Sequence, residues 1–259
     1  MAALTAVSAV LLATSPVTVA PVNARSAAQA VTPAQRSAFE GIIRDYLLEN
    51  PAIIREAMQL LQQREEAEKQ ALAARAVKER QDELLRDASS PVGGNPDGDI
   101  TIVEFFDYNC GYCKRVVPSV AETLANDPNV RVVYKELAIL GQESVFAARA
   151  ALAARRQGKY LAFHEALMTA ERADDQAVVA LSKRLGLDQA KLLEDMRDPE
   201  ITKILESNYQ LANALGINGT PAFVIGERMI PGAMDAAGLA EIIAQERAKK
   251  KAAVEKPAQ

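Results

Sequence analysis

Apolar residues near the N-terminal end of the chain recur at the spacing of an amphipathic helix. Thr32–Pro33 supplies a capping residue followed by a proline, which is a common start of a helix. An apolar stripe follows it at Phe39, Ile42, Ile43, Tyr46 and Leu47. Asn50–Pro51 repeats the start signal, and a second stripe follows at Ile54, Met58 and Leu61. The pattern predicts two consecutive helices that each present one apolar face.

The next segment, residues 62–70, consists of strong helix formers and carries no large apolar side chain. A helix that is polar all round is usually solvated or bridges between domains. Residues 25–90 are therefore either a helical linker or hairpin packed on the main domain, or an oligomerisation arm. We favour the arm, because two short amphipathic helices cannot bury their stripes alone and a second copy of the chain would cover them.

Beyond residue 90 the pattern changes to short buried strands interspersed with helices. The turn-rich sequence SPVGGNPDG, residues 90–98, marks the boundary. Strands are predicted at 100–106, 130–137, 222–225 and 228–230. A long helical block, 144–215, separates the second strand from the third. So few strands require one sheet covered by helices, which predicts the α/β class.

The composition is that of an ordinary soluble domain, with 49% hydrophobic and 25% charged residues. A net charge of −4 argues against a nucleic-acid-binding protein, which normally carries a basic face. The first 24 residues are uncharged, contain an apolar run, and end in a small-residue site at Val22-Asn23-Ala24. This pattern predicts a cleaved secretory signal over residues 1–24 and favours it over a membrane anchor, which Pro16 and Pro21 would weaken.

The chain has two cysteines, Cys110 and Cys113, and they are only three positions apart. A disulfide that closes so short a loop stabilises a fold little, so a structural role is disfavoured. The pair lies between a predicted strand and a predicted helix, which places Cys110 at the helix N-terminus. There the free backbone N–H groups favour the thiolate, so Cys110 is the expected nucleophile and Cys113 the resolving thiol.

Two other uses of the cysteines are weaker. Zinc normally takes four Cys or His ligands, and the chain has one histidine, His164, so no metal site is predicted. We expect His164 to be a packed or surface residue of a helix and not a catalytic base. A Cu(I)-binding chaperone stays open as a function of another class, because two thiolates are soft ligands. No Met-rich or His-rich run supports it.

The sequence EFFDYNCGYC resembles the active-site strand and loop of thioredoxin-fold proteins of the DsbA-like branch. Thr220–Pro221 before a strand resembles the cis-proline loop of that fold, which binds the substrate backbone. The helical block resembles the family's inserted helical subdomain, here about 141–216. Glu104 falls where the family has a buried acid, and its apolar strand neighbours favour burial over a solvated position, which would raise its pKa. The resemblance gives Glu104 the role of proton acceptor for Cys113.

The dipeptide Gly111–Tyr112 tunes the redox preference in such proteins. It contains no group that ionises near neutral pH, so the thiolate should be less stabilised and the pair less oxidising than in the strong oxidants of the family. Helices ahead of a CGYC domain resemble the ScsC (suppressor of copper sensitivity) group, whose N-terminal region oligomerises.

The resemblance implies a periplasmic thiol–disulfide oxidoreductase that acts on exported proteins containing cysteine, without a cofactor. We favour an isomerase or reductase with a DsbD-like membrane electron donor over a DsbA-type oxidase with a DsbB-like acceptor. We expect the protein to form a homo-oligomer and to have no nucleic-acid partner. We predict a signal peptide over residues 1–24 and a helical arm over residues 25–90. A catalytic domain over residues 91–247 and a disordered tail over residues 248–259 follow.

Overall fold

The computed structural model describes residues 32–255. The predicted signal segment, residues 1–24, lies outside the described residues, as do 25–31 and 256–259. The described part divides into two compact units, one ending at Leu60 and the other beginning at Leu61.

The N-terminal unit is helical. Helix α1 (Pro33–Glu49) begins at Thr32, whose side chain and that of Gln35 cap each other's backbone N–H groups. Helix α2 (Ala52–Glu79) follows directly and extends into the second unit. No residue of α1 is buried, and Phe39, Ile42 and Met58 are each more than half exposed. Within residues 32–255, most side chains of the apolar stripes predicted from the sequence are exposed.

The second unit is a mixed sheet covered by helices. Its elements after α2 are α3 (Gln81–Leu85), β1 (Val92–Gly94), β2 (Ile100–Phe106), α4 (Gly111–Asn126), β3 (Val130–Glu136), α5 (Gln142–Arg155), α6 (Tyr160–Thr169), α7 (Asp175–Arg184), α8 (Gln189–Asp195), α9 (Pro199–Ala214), β4 (Ala222–Ile225), β5 (Arg228–Pro231) and α10 (Ala236–Glu255). The strand order is β1-β3-β2-β4-β5. Strands β2 and β3 are parallel and the other pairs are antiparallel. Helices α5 to α9 form the insertion between β3 and β4. The predicted α/β fold with a helical insertion is confirmed.

Strand β2 lies in the middle of the sheet, and its alternating side chains enter two separate cores. Ile102 and Phe106 belong to the larger core, which also contains Cys113 and side chains of α4. Val103 and Phe105 belong to the smaller core on the other face, with residues of α9. The end of β2 therefore delivers the chain directly to the site of the cysteines.

Val77 and Leu84, which fall within the segment 25–90, are buried in the smaller core of the second unit. Two features differ from the sequence expectations. Strand β1 was missed because it is a three-residue edge strand containing two glycines. Helix α10 continues to Glu255, which corrects the predicted disorder of residues 248–255. Its Lys- and Ala-rich end is made of good helix formers, and Lys249 pairs with Glu246.

Among the helices that the structure describes, none is both long enough and apolar enough to cross a membrane.

Candidate active site

Cys110 is held at the junction between a loop and the start of helix α4. It is the N-cap residue of the helix, and its sulfur accepts a hydrogen bond from the backbone N–H of Cys113 at 3.4 Å. Its thiol donates to the backbone carbonyl of Thr220 at 3.2 Å. The sulfur therefore lies where the helix N-terminus favours negative charge, and it is directly beside the loop that precedes β4.

Cys113 lies one turn further along the helix and is fully buried, whereas Cys110 is 6% exposed. Burial raises the pKa of the Cys113 thiol far above its ordinary value, because the apolar surroundings disfavour the thiolate. Both cysteines are free thiols in this structure. The two thiols therefore differ in their surroundings: Cys110 is slightly exposed, whereas Cys113 is fully buried and its burial favours the neutral thiol.

The peptide bond between Thr220 and Pro221 is cis. Pro221 leads into β4, which pairs with β2, so the loop is held beside the end of the strand that carries the cysteines. An open groove of about 420 Å³ adjoins it, lined by the segment 216–222 and by Tyr112. Tyr112 is 60% exposed, and the Arg115 guanidinium stacks 4.2 Å from the centre of its ring. This groove offers apolar surface beside the loop that contacts Cys110.

Glu104 lies in the interior of the central strand and is only 3% exposed. Glu104 lies two residues from both Ile102 and Phe106, so its side chain points to the same face of the sheet as theirs. The core on that face contains Cys113. Desolvation raises the pKa of its carboxyl to about 8. The solvated edge position that was the alternative does not occur. A carboxyl with this pKa is present in both protonation states near neutral pH, as a proton carrier requires.

Asp107 anchors the loop that carries Cys110, and no motif in the sequence identifies it as a functional residue. Its carboxylate accepts hydrogen bonds from the backbone N–H groups of Ile139 and Leu140 at 2.9 and 3.0 Å, and from the Ser144 hydroxyl at 2.7 Å. It also accepts from the N–H of Asn109 at 2.8 Å. An aspartate two residues before an asparagine signals a local turn, but its long-range partners have no sequence signature.

A second buried acid, Glu136, was also missed. Its carboxyl accepts hydrogen bonds from the hydroxyls of Tyr108 and Tyr160, at 2.9 and 2.7 Å. Burial is the largest cause that raises the pKa of Glu136 to about 8. Tyr108 Oη also lies 3.1 Å from His164 Nδ1. His164 is a packed residue of α6, and burial lowers its pKa to about 3, so the ring is neutral.

Within residues 32–255, no three His, Cys, Asp or Glu side chains lie close enough together to hold a metal ion. The arrangement provides two adjacent thiols, a buried carboxyl on the same face and a cis-proline loop beside them.

A mixed sheet with a Cys-x-x-Cys pair at a helix N-terminus, beside a cis-proline loop, defines a protein of the thioredoxin class. Residues 101–244, more than half of the chain, match the family model of the DSBA-like thioredoxin domain. The chain belongs to this family. Residues 35–68 match the N-terminal domain of the copper resistance protein ScsC.

Solved structures of similar chains agree with this assignment. Proteus mirabilis ScsC in a transitional conformation is 34% identical with a TM-score of 0.64, over 84% of this chain and 99% of that one. A thioredoxin-like oxidoreductase from Silicibacter pomeroyi is 48% identical with a TM-score of 0.63, over 64% of this chain and 96% of that one.

Matches to curated proteins extend over part of the chain. The thiol:disulfide interchange protein DsbA of Bordetella pertussis is 27% identical, over 53% of this chain and 68% of that protein. A sodium/proton antiporter NhaA of Herminiimonas arsenicoxydans is 27% identical over 60% of this chain, which spans only 25% of that protein's length.

Proposed function

We propose that this chain is an exported thiol–disulfide oxidoreductase that reduces or rearranges disulfides in protein substrates. The observation that carries the proposal is the inequality of the two thiols. Cys110 sits at the helix N-terminus, beside Thr220, with its sulfur accepting from a backbone N–H. Cys113 lies beneath it, fully buried, in a position to attack Cys110 once a substrate is attached.

The reaction begins when the Cys110 thiolate attacks one sulfur of a substrate disulfide. A mixed disulfide forms between Cys110 and that sulfur, and the other substrate sulfur leaves as a thiolate and takes up a proton. In rearrangement, a substrate thiolate then attacks the mixed disulfide and releases Cys110 unchanged. No net oxidation or reduction occurs on this route.

In reduction, Cys113 attacks Cys110 and releases the second substrate thiol. The Cys113 proton must leave first, and Glu104 in its carboxylate form is the proposed acceptor. The product is a Cys110–Cys113 disulfide, and the two electrons have passed to the substrate. Each further cycle then requires a reductant, for which we propose a DsbD-like membrane protein.

The preference for rearrangement or reduction over oxidation rests on Gly111–Tyr112. A strong dithiol oxidase needs a heavily stabilised thiolate, and this dipeptide places no cationic side chain between the cysteines. The opposite direction, with a DsbB-like acceptor, is the alternative. The uncharged segment 1–24 supports export, for which the periplasm is the proposed compartment.

Two activity measurements decide between these directions. With a glutathione buffer present, the full chain should reactivate scrambled ribonuclease faster than it oxidises reduced ribonuclease, and Cys110→Ser should abolish both. Faster oxidation of the reduced substrate would establish the oxidase instead.

We also propose that α1 and the first half of α2 form an oligomerisation arm. Phe39, Ile42, Tyr46 and Met58 are between 56% and 66% exposed, a run of apolar surface that a monomer seldom leaves uncovered. The match of residues 35–68 to the ScsC N-terminal domain falls on this segment.

Light scattering coupled to size exclusion tests the arm. The full chain should have the mass of an oligomer, and the chain without residues 25–60, which leaves the second unit intact, should have that of a monomer. Ile42→Lys should lower the mass, whereas the control Ser37→Lys, at an exposed position on the side of α1 away from the apolar stripe, should not. Equal monomer masses for all four proteins would remove the arm.

A Cu(I)-binding function is the second candidate, because the copper resistance family matches the N-terminal segment and two soft ligands lie side by side. Copper that stays bound in the presence of excess competing thiol would support it. Copper lost to that competitor, with exchange activity intact, would exclude it.

A further inference from the structure

We propose that Glu136 is a positioning residue that holds the loop carrying Cys110, through a hydrogen bond to Tyr108. The inference rests on the proposed function, since it concerns how the redox pair is held. Tyr108 is two residues before Cys110, and Glu136 is the last residue of β3. Both side chains are 1% exposed, so the bond between them is shielded from water.

Two hydroxyl groups converge on this carboxyl. The hydroxyls of Tyr108 and Tyr160 both lie within hydrogen-bond distance of the same atom, Glu136 Oε1, at 2.9 and 2.7 Å. Each hydroxyl has a single proton, and both protons are used to reach this oxygen. Oε1 is therefore an acceptor for two donors, and any proton on Glu136 resides on Oε2.

His164 completes the network. Its Nδ1 lies 3.1 Å from Tyr108 Oη, whose own proton is already directed to Glu136. Nδ1 must then be the donor, which assigns the N–H of the neutral ring to that nitrogen. The resulting chain runs from His164 to Tyr108 to Glu136, and it ties helix α6 of the insertion and strand β3 to the active-site loop.

Beside Cys110, the Asn109 side chain accepts a hydrogen bond from the Ala173 N–H at 2.9 Å and donates one to the Ser144 hydroxyl at 3.3 Å, so Tyr108 is not the sole restraint on the loop. Asp107 holds its beginning, and the backbone N–H of Cys110 returns to the carbonyl of Asp107 at 3.1 Å. Tyr108 is the one residue of this loop whose side chain reaches the interior network. A loop released at Tyr108 would let Cys110 move away from the N–H of Cys113 and from the carbonyl of Thr220.

Those two contacts exist for the reduced pair, so their loss should disfavour the dithiol relative to the disulfide. The charged and titratable groups facing Glu136 are Asp107, Glu104, Tyr108 and Tyr160. The two acids disfavour its ionisation, and the two hydroxyls favour it. A neutral side chain with an acceptor oxygen, such as glutamine, can therefore replace it in the network.

The test measures the reduction potential of the Cys110–Cys113 pair in the full chain, by equilibration with glutathione buffers and thiol trapping. Tyr108→Phe should make the pair more reducing by about tenfold in the equilibrium constant, or ~30 mV. Glu136→Leu should do the same or more. Glu136→Gln should keep the equilibrium constant of the pair within about twofold of that of the original protein, which corresponds to a change in potential of less than ~10 mV.

Tyr160→Phe is the matched control. It removes the same kind of hydrogen bond from the same oxygen, but from a residue of the insertion and not of the loop. Its potential should stay within about twofold of the original, or less than ~10 mV. Circular dichroism of each variant separates a folding defect from a shifted potential, and Tyr108→Phe and Glu136→Gln decide the matter if Glu136→Leu does not fold.

An unchanged potential for Tyr108→Phe would overturn the proposal, as would a shift for Tyr160→Phe as large as that for Tyr108→Phe. Failure of Glu136→Gln to restore the potential would overturn it too. If the original chain does not exchange with glutathione at all, the proposed function fails, and the inference with it. Normal exchange with an unaltered Tyr108→Phe potential refutes only the inference.

Discussion

Replacing Glu104 by glutamine should stabilise the protein, and the gain should grow with pH. The folded-state pKa of this carboxyl is raised from 4.5 to about 8. Between these values the unfolded chain releases the proton and the folded chain keeps it, so ionisation favours unfolding. The penalty is absent below pH 4.5, rises as pH increases, and levels off above pH 8.

Its size follows from the shift. Each pH unit within this window contributes ~1.4 kcal/mol. The penalty is therefore ~3 kcal/mol at pH 7 and approaches ~5 kcal/mol above pH 8. Glutamine has nearly the same shape and does not ionise, so Glu104→Gln should recover most of this free energy.

The assay is urea unfolding of the reduced protein, followed by far-ultraviolet circular dichroism at pH 4.5, 7 and 8. Glu104→Gln should match the original at pH 4.5 and exceed its free energy of unfolding by ~3 kcal/mol at pH 7. Glu122→Gln, at an exposed site on α4, is the control and should change stability by less than ~0.5 kcal/mol at each pH. A gain that is equal at pH 4.5 and 8, or a loss at pH 8, would refute the reasoning. If Glu104 is the proton acceptor, the same variant should also release substrate from the mixed disulfide more slowly.

Two further changes follow from buried groups. His164 has a pKa lowered from 6.5 to about 3 by burial, so the unfolded chain takes up a proton as pH falls below 6.5 and the folded chain does not. This group should therefore lower the free energy of unfolding by ~3 kcal/mol between pH 7 and pH 4. His164→Gln should remove this contribution to the pH dependence measured by urea unfolding, and an unchanged pH dependence would contradict the assignment. Lys135, whose side chain is 1% exposed, pairs with Asp87 at 2.7 Å. Asp87→Asn should lower the free energy of unfolding by ~2 kcal/mol, less than for a fully buried pair because Asp87 is partly exposed. An unchanged free energy of unfolding would show that the Lys135 ammonium finds another partner.

The sequence predicted the elements whose signals are local. Strand β2 was found because its run of β-branched and aromatic residues is continuous, and the cysteines were found because they are so close in sequence. Within the insertion, Gly158, Gly186 and Asp198–Pro199 lie at the breaks between helices, because glycine and proline interrupt a helical pattern. Strand β2, the cysteine pair and the helical insertion are also the features through which the sequence resembles DsbA-like proteins and predicts their fold.

What the sequence did not reveal depends on contacts between distant residues. Glu136 ends a strand, where an acid normally faces solvent, and its partners Tyr108 and Tyr160 are separated from it by 28 and 24 residues. Val77 lies in an alanine-rich stretch of helix formers, and its packing in the smaller core explains its burial. The burial of such residues depends on tertiary packing, which the periodicity of apolar residues along the sequence does not reveal.

The central claim is that Cys110 attacks the substrate and Cys113 resolves the mixed disulfide. Mass spectrometry of the full chain mixed with a disulfide-bonded peptide tests it most directly. Cys113→Ser should accumulate a stable adduct, one peptide thiol joined to Cys110, whereas Cys110→Ser should give none. An adduct on Cys113 in the Cys110→Ser protein, formed as fast as the first, would contradict the assignment of the two thiols.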